Sequence, residues 1–90
     1  MKYDSIFRPP VTQRIKSGRV LLAPGEEVGE HTTEKREEVI VVLKGHGKLV
    51  KGEELPIEEG QAYFIPEGVL HNVINTGDAD LEYVFTVSML

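Results

Sequence analysis

The chain has 90 residues, no cysteine and a formal net charge of −5, from 15 acidic and 10 basic residues. The absence of cysteine excludes disulfides and thiolate metal ligands, and the unclustered lysines and arginines argue against nucleic-acid binding, which requires concentrated positive charge. No apolar run approaches the ~18 residues that cross a bilayer, and the first residues lack the apolar core of a signal peptide, so we expect a cytoplasmic protein with no membrane partner.

Glycines and prolines recur every several residues, with short β-branched segments between them. This punctuation predicts an all-β sandwich or barrel. No segment has apolar residues at the three-and-four spacing of a surface helix. The turns and apolar runs predict, in chain order, strands at 12–15, 19–23, 37–44, 48–51, 62–65, 69–75 and 81–88, with a further extended segment at 28–33.

The strongest strand candidate contains an unbroken apolar run from Val39 to Leu43. Successive side chains of a strand point to opposite faces of the sheet, so both faces of this strand are apolar. One face can line the interior of a barrel, and the other needs a cover. The cover is either the N-terminal arm, which includes Ile6 and Phe7, or a second subunit. We expect a homodimer.

Two polar residues interrupt rows of apolar side chains on the expected strands. Glu38 shares a strand face with Ile40 and Val42, and His71 shares one with Val69 and Val73. A carboxylate buried in such a row is costly unless it is protonated, hydrogen-bonded or bound to a cation. Together with His31, these two residues suggest convergence of polar groups on something charged.

Two segments have characteristic spacings of glycine, proline, histidine and acidic residues. The first contains Gly25, His31, Thr33, Glu38 and Gly45, and the second contains Gly60, Pro66, Gly68, His71 and Asn75. These spacings resemble the two sequence motifs of the cupin family, small β-barrels that usually hold a metal ion. The second segment fits at every defining position, whereas in the first Thr33 stands where the family usually has a second histidine. Pro66 and Gly68 are expected to orient the strand that carries His71, and Asn75 to bond the backbone of a turn.

The resemblance implies a cupin-type double-stranded β-helix, that is, a jelly-roll barrel in a single domain. Residues 1–17 would form an N-terminal arm and edge strand, and residues 18–90 the barrel. It also implies that His31, Glu38 and His71 are metal ligands. Two histidines and one carboxylate form the ligand set of non-haem Fe(II) oxygenases, but they also suit Zn²⁺, Mn²⁺, Ni²⁺ or Co²⁺, so the sequence leaves the divalent transition metal open.

A mostly apolar pocket is expected around this site, able to hold a small organic molecule. Arg19 and Lys44 are candidate anchors for an anionic group, although a solvent-facing position fits them better. His46 is expected in an exposed turn, away from the other histidines. Candidates for the pocket wall, or for contact with the metal ligands, are Thr33, Ile40, Val42, Phe64, Val69, Val73, Tyr83 and Phe85.

Three kinds of function fit this pattern. The first is a metal enzyme in which the ion acts as Lewis acid or oxygen activator. The second is a binding module that senses or stores a small molecule or a metal without turnover. The third is a dimerising scaffold whose metal site has decayed at Thr33. The chain has neither a nucleophile elbow nor a phosphate-binding glycine loop, so we expect a metal-binding barrel and leave catalysis open.

Overall fold

The computed structural model describes residues 1–89 and shows an all-β chain with no helix in that range. It therefore has no helix that is long and apolar enough to span a bilayer within these residues. The eight strands are β1 (Lys2–Phe7), β2 (Ile15–Leu22), β3 (Arg36–Lys44), β4 (His46–Val50), β5 (Glu54–Glu58), β6 (Ala62–Ile65), β7 (Asn72–Ile74) and β8 (Leu81–Met89).

The strands form two antiparallel sheets. One has five strands in the order β1-β2-β8-β3-β6, and the other has three in the order β5-β4-β7. Apolar side chains from both sheets meet between them, as in sandwiches and small barrels. The buried core consists of Val20, Leu22, Ile40, Val42, Leu49, Ile57, Ile65, Val73, Leu81 and Tyr83.

Strand β3 lies between β8 and β6, and its successive side chains alternate between a buried and an exposed face. Glu38, Ile40 and Val42 are buried. Val39, Val41 and Leu43 lie on the opposite face and remain 37–43% exposed. The expected alternation is therefore confirmed, and it brings a carboxylate to the head of an inward-facing apolar row.

Asn75 ends the stretch that carries His71 and has the structural role expected of it. Its buried amide Nδ2 donates to the carbonyl oxygens of Leu22 and Ala79, each at 2.9 Å. Its Oδ1 accepts from the N–H of Gly77, also at 2.9 Å. These three bonds join the turn before β8 to the end of β2.

Several expected boundaries are wrong, and edge positions explain most of them. The first strand is β1, not 12–15, and β2 begins only at Ile15. Every residue of β1 is exposed. No side chain of this strand has to be apolar for burial, so its sequence need not alternate between apolar and polar residues. Strand β5 was not expected. It contains Pro56, which is tolerated because β5 is an edge strand, where a missing N–H donor costs no ladder hydrogen bond.

Candidate metal centre

His31 and His71 face each other directly across an isolated antiparallel bridge. The N–H of His31 donates to the carbonyl of His71 at 3.0 Å, and the N–H of His71 donates back at 2.9 Å. The two imidazole rings lie on the same side of this bridge, with centroids 4.2 Å apart and planes at 60°. Two histidines separated by forty residues in the sequence are thus neighbours at one point of the barrel.

Both imidazoles are held by the same kind of hydrogen bond. The Nδ1 of His31 lies 2.9 Å from the carbonyl oxygen of Gly29, and the Nδ1 of His71 lies 2.8 Å from that of Val69. A carbonyl oxygen only accepts, so each Nδ1 carries a proton, and in the neutral imidazole Nε2 is the nitrogen whose lone pair can bind an ion. Metal-binding histidines are oriented in this way, by a hydrogen bond at the ring nitrogen that does not bind the ion.

Glu38 reaches the same point from β3. Its Oε1 lies 3.7 Å from the Nε2 of His71. One ligand atom from each of His31, Glu38 and His71 lies within 4.8 Å of the other two. Ligand atoms bound to one ion at 2.0–2.2 Å stand roughly 3–3.5 Å apart, so a small closure of the three side chains would suffice to bind an ion.

Burial makes this cluster unfavourable without a cation. Glu38 is 8% exposed and His71 is 1% exposed, and the Nε2 of His71 has no hydrogen-bond partner within residues 1–89. Loss of hydration raises the pKa of Glu38, although the charge of His31 opposes this, and it lowers the pKa of His71. Both shifts favour uncharged forms, so the 3.7 Å contact is not a stabilising salt bridge. A bound cation would satisfy the buried nitrogen and neutralise the carboxylate, and the residues fit such an ion.

Thr33 lies beside the three candidate ligands. Its hydroxyl is buried and has no hydrogen-bond partner in the described part of the chain. Its carbonyl accepts from the N–H of Gly68 at 3.1 Å, and Gly68 has a φ of 75°, a conformation that glycine adopts readily. The loop before His71 is thereby tied to the segment that carries His31. Metal binding by His31, Glu38 and His71 itself stays a prediction.

The cluster opens into a cavity of about 330 Å³. Of the expected wall residues, Thr33, Val73, Tyr83 and Phe85 line it. Burial, and secondarily the charge of Glu38, raises the pKa of Tyr83, so its hydroxyl stays protonated as a donor. Val20 of β2, Val87 of β8 and Val28, which precedes β3, add apolar side chains to the wall.

The other expected wall residues lie elsewhere. Ile40 and Val42 point inward but belong to the packed core and do not border the cavity. The expectation for Phe64 is wrong, because it pairs with Val39 and lies on the outer face of the sheet, 46% exposed. Val69 lines a separate groove of about 350 Å³ together with Leu70.

Two basic residues that the sequence reasoning missed also line the cavity, namely Lys16 and Arg36. Lys16 has the strand parity of the buried Gly18 and Val20, and Arg36 has the parity of Glu38, so this parity was the available signal. The basic residues that the sequence did suggest lie outside. Arg19 pairs with Glu82 at 2.9 Å, and Lys44 is exposed.

Comparison with known proteins identifies the family. Residues 18–87 match the family model described as the cupin domain. The chain belongs to the cupin family. It is 36% identical over 73 residues to the oxalate-binding protein of Thermotoga maritima, covering 80% of this chain and 60% of that protein. It is 34% identical over 74 residues to the tetracenomycin polyketide synthase protein TcmJ of Streptomyces glaucescens, covering 81% of this chain and 50% of that protein.

Solved cupin structures confirm the fold. A crystal structure described as a predicted oxalate decarboxylase from Thermotoga maritima superimposes with a TM-score of 0.80 at 34% identity, covering 83% of this chain and 66% of that one. A cupin 2 conserved barrel domain protein from Salinispora arenicola superimposes with a TM-score of 0.83 at 24% identity, covering 99% of this chain and 75% of that one. The predicted jelly-roll cupin fold is correct, while the division of the chain at residues 17 and 18 stays a prediction.

Proposed function

We propose that this cupin binds one divalent transition metal per chain through His31, Glu38 and His71, and holds a small molecule beside that metal. One observation carries the proposal. One ligand atom from each side chain lies within 4.8 Å of the other two, and the Nδ1 of each histidine donates to a carbonyl oxygen, which leaves Nε2 as the nitrogen available to an ion. The buried and unpaired Nε2 of His71 supports it.

The donor set suits several ions. Two imidazoles and one carboxylate bind Fe²⁺, Zn²⁺, Mn²⁺, Ni²⁺ and Co²⁺, and three protein ligands leave coordination positions open. When bound, such an ion supplies Lewis acidity or, in the case of iron, activation of oxygen. Around it, Tyr83 presents a protonated hydroxyl, and the apolar wall excludes water from one side of a ligand.

A small carboxylate is the first ligand to test. The Thermotoga maritima relative is named an oxalate-binding protein, and carboxylate oxygens are good ligands for the ions above. The chain spans 60% of that relative, so its ligand is a proposal for this chain and not a transferred property. We therefore choose oxalate as the starting probe for the metal-loaded protein.

A second candidate is binding without turnover, at a site weakened by Thr33. The observation that favours it is that the Thr33 hydroxyl lies at the cavity without a hydrogen-bond partner among residues 1–89. A neutral hydroxyl is a weaker ligand than imidazole for a borderline ion, so affinity would be lower than in a four-ligand site. In this case the barrel would store or sense a metal or a small molecule.

The decisive experiment measures metal binding in matched histidine variants. Untagged protein is purified without chelator, and its metal content is determined by elemental mass spectrometry. Calorimetric titration with Zn²⁺, Ni²⁺ and Mn²⁺ then compares wild type with His71→Ala and with His46→Ala, in which an exposed histidine is removed. We expect about one equivalent for wild type and for His46→Ala, and a loss of at least tenfold in affinity for His71→Ala. Equal affinity of all three proteins would refute the shared site.

We also propose that the chain forms a homodimer through the outer face of the five-stranded sheet. Val39, Val41 and Leu43 of β3 and Phe64 of β6 lie together on this face, each 37–46% exposed. Strand β1 pairs with β2 and does not cover them. Sedimentation equilibrium of wild type and Val41→Lys tests this proposal. We expect a dimer that the lysine dissociates, and a monomeric wild type would refute it.

A further inference from the structure

Lys16 is placed at the cavity by the strand register. It lies on β2 opposite Val87 of β8, and Val87 lies opposite Glu38 of β3. These three residues form one row across the inner face of the sheet. Neighbouring strands are 4.7–4.9 Å apart, so the Cα atoms of Lys16 and Glu38 are roughly 10 Å apart, with Val87 between them.

The charges around the cavity are unbalanced. Lys16 is half-buried, and no carboxylate of residues 1–89 lies within ion-pair distance of it. Arg36 lines the same cavity from β3, and among the described lining residues Glu38 is the sole acidic one. A divalent ion on Glu38 would make this space more positive still. The electrostatic complement of the cavity is an anion.

The wall near Lys16 is apolar. Val87 and Val20 line it, and Phe85 stacks on Tyr3 with ring centroids 5.8 Å apart. A cavity of about 330 Å³ is large enough for one aromatic ring or a short aliphatic chain with a charged group. Positive side chains beside an apolar wall favour a ligand that has an anionic end and an apolar body.

We propose that the cavity selects small organic carboxylates with an apolar body, and that Lys16 binds the carboxylate. The ammonium group donates charge-assisted hydrogen bonds to the carboxylate, with Arg36 as a second cation, while the body of the ligand packs against Phe85 and Val87. This inference rests on the proposed function only in that both use the same cavity. Lys16 is a specificity-determining residue and takes no part in binding the metal.

The test uses two probes of the same shape, benzoate and its neutral amide, benzamide. Metal-free ¹⁵N-labelled protein is titrated with each probe, and amide chemical shifts give the affinities. Wild type should bind benzoate roughly tenfold more tightly than benzamide, the ratio expected from one charge-assisted hydrogen bond. Shifts should concentrate at the cavity residues of β2 and β8.

Three variants identify the group responsible. Lys16→Met should lose most of the preference for benzoate, because only Arg36 then remains as a cation at the cavity, and Lys16→Arg should retain the preference. Lys44→Met removes the same charge from an exposed position on β3 and should behave like wild type. Equal binding of the two probes by wild type, or a preference that is undiminished in Lys16→Met, would overturn the proposal, as would binding of neither probe.

Metal titration of the same samples separates this inference from the proposed function. Lys16→Met should bind Zn²⁺ with wild-type affinity, because Lys16 lies outside the His31–Glu38–His71 cluster. A protein that binds no metal but prefers benzoate through Lys16 refutes the metal site and supports the carboxylate site. A protein that binds metal but does not discriminate between the probes supports the metal site and refutes the carboxylate site.

Discussion

Glu38→Gln separates the cost of the buried carboxylate from its value as a metal ligand. Burial raises the pKa of Glu38 above its value in the unfolded chain, so the folded chain holds this proton more tightly. The stability that this contributes is present at low pH and is lost as the pH rises through the folded pKa. Glutamine has the same shape and does not ionise. The metal-free variant should therefore be more stable than wild type at pH 8 and equal to it near pH 4.

Metal should reverse this order. At a free metal concentration one hundred times Kd, binding stabilises the folded protein by about 2.7 kcal/mol. For a domain of 90 residues, where 1 kcal/mol corresponds to about 4–8 °C, this raises the Tm by about 10–20 °C. If loss of the carboxylate weakens binding by about a hundredfold, the same metal concentration stabilises the variant by about 0.4 kcal/mol, or about 2–3 °C.

Thermal melts followed by circular dichroism measure both effects, with chelator and with Zn²⁺, between pH 4 and pH 8. Glu37→Gln is the matched control, because Glu37 is the exposed neighbour of Glu38 on β3. It should show the wild-type increase in Tm with metal. An equal increase in Glu38→Gln, or a metal-free Glu38→Gln that is less stable than wild type at pH 8, would refute the reasoning.

Three further substitutions test other parts of the structure. Asn75→Ala removes three hydrogen bonds, one buried and two partly buried, and should lower the free energy of unfolding in urea by about 2–4 kcal/mol. A change below about 1 kcal/mol would contradict this. Thr33→His adds an imidazole at the cavity and should raise calorimetric Zn²⁺ affinity more than about tenfold, whereas no gain would show that the side chain does not reach the ion. Gly47→Ala places a Cβ 2.5 Å from the carbonyl oxygen of Ile74 and should lower the free energy of unfolding by about 1–3 kcal/mol. An unchanged Tm would show that the backbone shifts to accommodate the methyl group without loss of stability.

The comparison of sequence and structure shows where pattern reasoning succeeds. Side chains alternate along a strand with a period of two, so the sequence alone places Glu38, Ile40 and Val42 on one face of β3, and all three are buried there. Strand β6 was expected at 62–65 and is found at Ala62–Ile65. The motif spacings predict the family and nominate His31 and His71, which the fold brings together.

Reasoning from pattern fails where pairing between strands decides the outcome. Phe64 lies on the outer face because β6 pairs with β3 in a register that sets it opposite Val39. A shift of one residue would have moved it inside, and nothing within the four residues of β6 specifies that register. Strand β1 is missed for a related reason. Every residue of this edge strand is exposed, so it has no buried face that would require apolar residues at alternate positions.

The sequence by itself determined the all-β class, the cupin family and the residue types available for a metal site, because these depend on local spacing and side-chain chemistry. Only the tertiary structure decided that the three candidate ligands lie within 4.8 Å of one another, that the Nδ1 of each histidine donates to a carbonyl oxygen, and that Lys16 faces the cavity. These are relations between strands distant in sequence. They depend on pairing register and packing across the barrel, which no local pattern contains.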